Sequence, residues 1–309
     1  MRVGYTYDPI YMRHDMGAGH PECPQRVQAI DARLQAVGLK EQLVLFSADP
    51  ASRDDILRAH TQDYVERVYA LAPGAGARVQ LDADTAMNES SLPAALMAAG
   101  AAITAVRKVL QGEFERAFCN IRPPGHHAES NRAMGFCIFN SIAVAARYAC
   151  EVHGIERVAV VDWDVHHGNG TEQILADDPC IFMVHSFQSP LYPYSGVEPL
   201  GNNSCNIALP PYSDGARFRQ RWIAEGLPAL QSFDPQLILI SAGFDAHRDD
   251  PLAQLAWDEQ DYAWATSELD RLSWNCSAKG RMVSLLEGGY DLRALGSSVE
   301  AHVRGLMGP

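Results

Sequence analysis

Four runs of apolar residues, each about as long as a β-strand, restrict the fold of this chain more than any other feature. The runs lie at Arg157–Asp162, Cys180–His185, Gln236–Ser241 and Arg281–Leu286. Apolar positions follow one another without polar alternation, so each strand must be buried on both faces, as in a parallel sheet covered by helices. Helical patterns separate the runs, and this alternation of strand and helix predicts an α/β fold.

The intervening helices have recognisable ends. Ser91 is placed as the N-cap of an alanine-rich helix that runs to Gln111. Asn140 or Ser141 is placed as the cap of a second helix, which ends near Gly154. Two later stretches also have a helical pattern: Ala216–Gln231 and Asp258–Trp274.

The segment from Ser186 to Asp214 is rich in proline, glycine, serine and asparagine and predicts a long loop. A loop of that length inside a compact domain is commonly functional, and an ordinary surface excursion fits the composition equally well. No internal repeat or linker-like tract interrupts the chain. We therefore expect residues 1–309 to form a single domain.

Charge and cysteine content narrow the classes of function. The chain has 38 acidic and 25 basic side chains and a formal charge of −13, which argues against a nucleic-acid partner. An acidic surface attracts cationic substrates, but it is also common among ordinary enzymes. The seven cysteines form no C-x-x-C pair, no 18-residue apolar run is present, and the N-terminus does not resemble a secretory signal. We expect a cytoplasmic protein that makes no membrane contact.

The strongest functional signal follows the strand at Arg157–Asp162. There the chain reads DWDVHHGNG, and alternation at the strand end puts Asp162, Asp164 and His166 on one side. Two carboxylates and an imidazole that converge in this way form a set of metal ligands. Packing alone explains them poorly, because buried carboxylates without compensation are costly.

Polar residues also follow the last two apolar runs. Asp245 comes shortly after the run at Gln236–Ser241, where it can supply another metal ligand or simply cap a turn. After the run at Arg281–Leu286, two glycines let the backbone approach a ligand and leave the ring of Tyr290 free to enter a site. Ligands bind at the carboxyl ends of strands in such sheets, so these clusters are expected to form one site.

A fourth cluster, RPPGHHA, follows a short strand candidate at Ala117–Cys119. It holds His126 and His127 on a stiff loop, and histidine is the usual general base near neutral pH. A metal that polarises a carbonyl, a histidine that moves a proton and a tyrosine that donates to an oxyanion together suit metal-assisted hydrolysis.

The chain resembles histone deacetylases, within the arginase/deacetylase superfamily, in six motifs: GHPECPQR, RPPGHH, GFCIFN, DWDVHHGNGTE, AGFDAH and LEGGYDL. The pattern is most similar to class II-like bacterial histone deacetylase-like amidohydrolases and acetylpolyamine amidohydrolases. The resemblance implies one three-layer α/β/α domain with a mostly parallel eight-stranded sheet. It also implies an amidohydrolase that acts on acyl-lysine in proteins or on N-acetylated polyamines.

The resemblance also assigns metal ligands. Asp164, His166 and Asp245 would hold one Zn²⁺ per chain, and the same donor set is acceptable to Fe²⁺ or Co²⁺. In relatives, oxygens of the residue that matches Asp162, together with neighbouring carbonyls, hold a K⁺ ion.

Catalytic roles follow from the same motifs. His127 is expected to act as general base and then as acid, with His126 as an electrostatic companion oriented by Asp162. Tyr290 is expected to stabilise the oxyanion. Asn169 stands where class I members have aspartate, and as a neutral partner it would not raise the basicity of His127 as a carboxylate would.

Other motif positions would bind the substrate. Gly135, Phe136, Tyr192 and Gly288 would line a narrow acyl-lysine tunnel, with Tyr192 standing where many relatives carry phenylalanine. Arg26 resembles an arginine of the family's internal acetate channel, although a surface arginine fits the sequence equally well.

Two other functions remain open at this point. A two-metal ureohydrolase of the same superfamily would carry a second aspartate near Asp245, where this chain has Ala246 and His247. A non-catalytic protein that binds acyl-lysine would keep the pocket without hydrolysis. The sequence does not define the natural substrate or the oligomeric state.

Overall fold

The architecture rests on one eight-stranded sheet. The computed structural model describes residues 1–308, so Pro309, the last residue of the predicted domain, lies outside the described residues. The strands are β1 Val3–Thr6, β2 Val44–Leu45, β3 Arg78–Gln80, β4 Ala86–Asn88, β5 Arg116–Cys119, β6 Val158–Asp162, β7 Ile181–Gln188, β8 Ser204–Leu209, β9 Leu237–Ala242 and β10 Met282–Leu286. Strands β3 and β4 form a separate antiparallel pair.

Helices cover both faces of this sheet. They are α1 Gln25–Ala36, α2 Arg53–Leu57, α3 Gln62–Leu71, α4 Ser91–Leu110, α5 Ser141–His153, α6 Asn169–Leu175, α7 Gly215–Arg221, α8 Leu227–Phe233, α9 Glu259–Trp274 and α10 Leu292–Met307. Helices α4 and α5 pack together on one face, whereas α1, α10 and α9 pack together on the other. The predicted three-layer α/β/α arrangement is therefore confirmed.

The strand order is β2-β1-β5-β10-β9-β6-β7-β8, and every pair of neighbours in this sheet is parallel. The four apolar runs of the sequence correspond to β6, β7, β9 and β10. All residues of β6, β9 and β10 are buried, as expected for strands covered on both faces.

Two local predictions are corrected. The segment from Ser186 to Asp214 is not one loop, because β7 continues to Gln188 and β8 lies within it. Strand β8 lies at the sheet edge and is only partly buried. It therefore contains polar residues and lacks the continuous apolar run by which the other strands were predicted. Ser90, not Ser91, is the N-cap of α4, since the Ser91 hydroxyl is used by the backbone N–H of Asn88.

Helix α4 is the one described helix that is long and apolar enough to cross a membrane by length and composition. Its 18-residue window has a mean hydropathy of 1.3, and 61% of that window is buried inside the protein. The helix packs against α5, β5 and β10. Its apolar character is therefore explained by its position in the core.

The sheet order places the four polar clusters side by side. Strands β5, β10, β9 and β6 are consecutive neighbours at the centre of the sheet, and all run in the same direction. Each cluster directly follows the carboxyl end of one of these strands. The clusters therefore meet at one edge of the sheet, where α/β folds bind their ligands.

Candidate active site

Three side chains form a buried cluster with the geometry of a metal site. One ligand atom each from Asp164, His166 and Asp245 lies within 4.8 Å of the others. The Nδ1 atom of His166 lies 3.1 Å from Oδ1 of Asp164 and 3.2 Å from Oδ2 of Asp245. Among residues 1–308 no other group of three such side chains converges in this way.

The backbone of adjacent strand ends holds the two carboxylates. The N–H of Gly288 donates to Oδ2 of Asp164 at 2.8 Å, and the N–H of Val165 donates to Oδ1 of Asp245 at 2.9 Å. A Cβ at Gly243 would overlap Asp164, and a Cβ at Gly288 would overlap Asp245. Glycine is therefore needed at both positions for the carboxylates to lie where they do.

A divalent cation fits this donor set. Burial raises the pKa of Asp245, and the charge of Asp164 raises it further. Burial also opposes ionisation of Asp164, but His126 and His166 outweigh it and hold its pKa below the usual value. Two adjacent buried carboxylates need a compensating positive charge, and two carboxylates with one imidazole leave a coordination position open on zinc.

The surroundings of Asp162 offer few free side-chain oxygen ligands to a K⁺ ion. Its carboxylate is already bound by Nδ1 of His126 at 3.0 Å and by the backbone N–H of Asp164 at 3.0 Å. Its other side-chain neighbour is His185, whose Nδ1 lies 3.8 Å away and whose ring nitrogens have no hydrogen-bond partner within residues 1–308. Hard cations prefer oxygen ligands, so any further ligands for K⁺ would be backbone carbonyls.

His126 and His127 lie side by side, with ring centroids 4.0 Å apart, but in different electrostatic environments. Burial alone would lower the pKa of His126, but Asp164 and Asp162 outweigh it and hold that pKa well above its ordinary value. Burial lowers the pKa of His127 well below its ordinary value, and His126 and His166 lower it further. His127 is thus the neutral member of the pair.

Asn169 is the partner of His127. Its Oδ1 atom lies 2.8 Å from Nδ1 of His127. Asn169 is the first residue of α6 and is buried, so its contact with His127 is shielded from water. An amide oxygen only accepts, so the proton in this contact belongs to Nδ1 of His127.

A cleft of about 190 Å³ leads to these side chains. Its walls are formed by residues from six loops: Asp84, His127, Gly135, Phe136, His166, Leu191, Tyr192, Leu252 and Tyr290. Tyr192 packs edge-on against His127, with ring centroids 5.3 Å apart, and Phe136 packs edge-on against Tyr290 at 5.9 Å. Three of the predicted tunnel residues therefore line the cleft, whereas Gly288 lies beneath the carboxylates.

Arg26 is fully buried, so the alternative that it is a surface arginine is wrong. Its guanidinium donates to the backbone carbonyls of Gly289 and Glu287 and lies 4.9 Å from the ring centroid of Tyr290. It also pairs with the buried carboxylate of Glu22 at 3.1 Å. Arg26 therefore supports the backbone on both sides of Gly288 and contacts the ring of Tyr290.

Sequence reasoning missed several charged residues around the site. The Glu22 carboxylate binds Arg122 as well as Arg26, and all three side chains are buried. Glu129 contacts Asn169, with Oε1 lying 2.9 Å from Nδ2. Glu22 and Arg122 both belong to quoted motifs, and Glu129 directly follows RPPGHHA, but nothing local in the sequence indicated their partners.

The chain also matches a family model and is similar to named deacetylases. Residues 20–306 match the family model described as histone deacetylase domain. The chain is 40% identical to the histone deacetylase-like amidohydrolase of Pseudomonas aeruginosa, over 88% of this chain and 73% of that protein. It is 36% identical to a probable deacetylase of Archaeoglobus fulgidus, over 94% and 82% of the respective chains.

A solved structure extends the agreement to three dimensions. The crystal structure of the HDA15 HD domain superimposes with a TM-score of 0.92 at 31% identity, covering 99% of this chain and 88% of that chain. The fold and the family predicted from the motifs are both confirmed. This chain belongs to the histone deacetylase family.

Proposed function

We propose that this protein is a zinc-dependent amidohydrolase that removes an acetyl or related acyl group from an amine. The substrate classes that we propose are acyl-lysine in proteins and N-acetylated polyamines. The observation that carries the proposal is the convergence of the Asp164, His166 and Asp245 ligand atoms within 4.8 Å, in a site that also presents His127 and Tyr290.

Asp164, His166 and Asp245 would hold the metal. A bound Zn²⁺ supplies a Lewis acid that polarises the acyl carbonyl and makes water more acidic. Fe²⁺ and Co²⁺ suit the same donors. Backbone carbonyls around Asp162 would hold a structural K⁺ ion.

His127 would carry out the proton transfers. Its Nδ1 atom is committed to Asn169, so Nε2 is the nitrogen left to accept the proton of the attacking water. The same nitrogen would return that proton to the departing amine. His126, held by Asp162 at 3.0 Å, would stay charged beside it and favour the developing negative charge.

Tyr290 would donate to the oxyanion. Burial raises the pKa of its hydroxyl well above the usual value, so the proton stays on the oxygen at neutral pH. Phe136 and Tyr192 would flank the acyl chain in the cleft, and Arg26 would border an internal channel behind Tyr290. We assign these activities to one domain in the cytoplasm, consistent with the single large sheet and with seven cysteines that are all free.

The first test measures acetate release by the zinc-loaded protein from acetyl-lysine peptides and from N-acetylated polyamines side by side. A preference for peptides would indicate a protein deacylase, and a preference for polyamines would indicate a small-molecule amidohydrolase. No release of acetate or longer acyl groups from any such amide, by protein with one metal bound per chain, would contradict the proposal.

Two substitutions test the assigned roles. Asp245→Ala should abolish both metal retention and hydrolysis. Tyr290→Phe should keep the metal and lower kcat about 10²- to 10³-fold, as expected for loss of one oxyanion donor. A wild-type kcat in Tyr290→Phe would remove Tyr290 from the mechanism.

Metal counting separates the proposal from the two-metal alternative. His247 is not part of the convergent cluster, and its Nδ1 accepts from the N–H of Asp249 at 3.1 Å. We expect one metal ion per chain, and two Mn²⁺ ions per chain would favour a ureohydrolase. Tight hydroxamate binding without hydrolysis of any amide would favour the non-catalytic alternative.

A further inference from the structure

Asn169 contacts two partners through the two ends of its amide. Its Oδ1 atom lies 2.8 Å from Nδ1 of His127, and its Nδ2 atom lies 2.9 Å from Oε1 of Glu129. Nδ2 also lies 3.3 Å from the sulfur of Met134, which is a weak acceptor. Both neighbours of Nδ2 therefore accept, so the side of the amide that faces Glu129 must be the donor.

Glu129 is itself firmly held. Arg132 donates to both of its carboxylate oxygens, through Nε at 2.8 Å and Nη2 at 2.7 Å. The backbone N–H of Glu129 donates to the carbonyl of Arg132 at 3.0 Å. The backbone carbonyl of Glu129 accepts from Nδ1 of His60 at 3.0 Å. A bidentate arginine pair fixes the carboxylate in direction as well as in charge.

We propose that Glu129 is a positioning residue that sets the tautomer of His127 by fixing the orientation of the Asn169 amide. An ionised carboxylate cannot donate, so it holds Nδ2 of Asn169 towards itself and leaves Oδ1 facing His127. His127 must then carry its proton on Nδ1, and Nε2 remains free to accept one. The opposite amide orientation would place the proton on Nε2 and remove the base.

This inference rests on the proposed function only for its effect on the rate. The tautomer itself is a property of the chain and can be measured without substrate. The proposal about the His127 tautomer and the proposed hydrolysis would therefore be contradicted by different experiments.

The test replaces the acceptor with a donor. In Glu129→Lys the ammonium donates, so Oδ1 of Asn169 turns towards it and Nδ2 turns towards His127. We expect kcat to fall about 10- to 100-fold, the range for loss of a group that orients an active-site side chain, while KM changes less than about twofold. Glu66→Lys, the same substitution at an exposed position of α3, should leave both unchanged.

A second substitution should rescue the first. In Glu129→Lys with Asn169→Asp, the new carboxylate accepts from both the lysine and Nδ1 of His127, so the original tautomer returns. We expect most of the lost kcat to be recovered. A role of Glu129 confined to loop stability would not be restored by a change at Asn169.

Nitrogen NMR of protein labelled with ¹⁵N-histidine reads the tautomer directly, with the His127 signals identified by their loss in His127→Asn. We expect a protonated Nδ1 in the wild type and in the double variant, and a protonated Nε2 in Glu129→Lys. An unchanged tautomer in Glu129→Lys, or a lost kcat that Asn169→Asp fails to restore, would overturn the proposal. A wild type with protonated Nδ1 that hydrolyses no acyl-amine would instead contradict the proposed function alone.

Discussion

Gly288 shows how closely the backbone approaches the candidate metal site. A Cβ there would overlap the carboxylate of Asp245 and would lie 2.6 Å from Oδ2 of Asp164. The motif assigned this glycine to the substrate tunnel, but its contacts place it against the carboxylates of Asp164 and Asp245. Its missing side chain therefore matters for ligand geometry.

We predict that Gly288→Ala weakens metal binding about 10- to 100-fold, since displaced ligands lose their fixed orientation. Competition with a chromogenic chelator measures the affinity. Gly74→Ala is a matched control, because no atom lies within 4 Å of the added Cβ. Wild-type affinity in Gly288→Ala would mean that the strand ends move apart at little cost.

At the scale of single residues, the sequence predicted contacts between residues that are close together in the chain. Asp164 and His166 are two residues apart, so their proximity is local, although β6 ends at Asp162 and it is a turn contact, from the N–H of His166 to Oδ1 of Asp164, that joins them. Glu22 and Arg122 are 100 residues apart, and their buried contact joins the segment before α1 to the loop after β5. Likewise, nothing near Glu129 in the sequence revealed that its partner is Asn169.

Helix α1 joins the site through one buried side chain. Arg26 reaches from α1 to the carbonyls of Glu287 and Gly289 at the end of β10. Its charge is balanced by Glu22, whose pKa is held well below the usual value by Arg122 and other neighbours despite burial. The helix is therefore attached to the loop that carries Tyr290.

We predict that Arg26→Met lowers the free energy of unfolding by about 3 kcal/mol, because a buried ion pair loses one partner and two carbonyls lose their donor. Urea denaturation measures the change. Arg33→Met on the same helix, which removes a pair that is half exposed, should cost less than about 1 kcal/mol. Equal effects of the two substitutions would contradict the anchoring role.

Strand prediction succeeded or failed according to burial. Strands β6, β9 and β10 were predicted to within one residue because they are buried on both faces. Edge strand β8 was missed, because a half-exposed strand can contain serine and asparagine. The two-residue strand β2 is exposed and too short to give a pattern.

Two buried histidines outside the candidate metal cluster, His60 and His302, have lowered pKa values. His302 lies in the core between Thr266 and Ser284, and burial lowers its pKa to about 3. Burial likewise lowers the pKa of His60 to about 4. The unfolded chain binds protons at these groups below about pH 6.5, whereas the folded chain does not, so each one destabilises the fold as pH falls.

We predict that His302→Gln makes the free energy of unfolding less sensitive to pH between about 5 and 6.5. Glutamine can still bond Thr266 and Ser284 but does not titrate. The slope should decrease by up to about 1.4 kcal/mol per pH unit. Urea denaturation at several pH values tests this, and identical slopes for both proteins would show that His302 is protonated in the folded state.

The position of β10 in the sheet has a consequence for synthesis. This strand is the last of residues 1–308, yet it lies between β5 and β9 at the centre of the sheet. A nascent chain that stops before Met282 therefore lacks the strand that joins β2-β1-β5 to β9-β6-β7-β8. The ribosome must therefore deliver β10 before the two groups of strands can join, and until then the nascent chain is prone to aggregate.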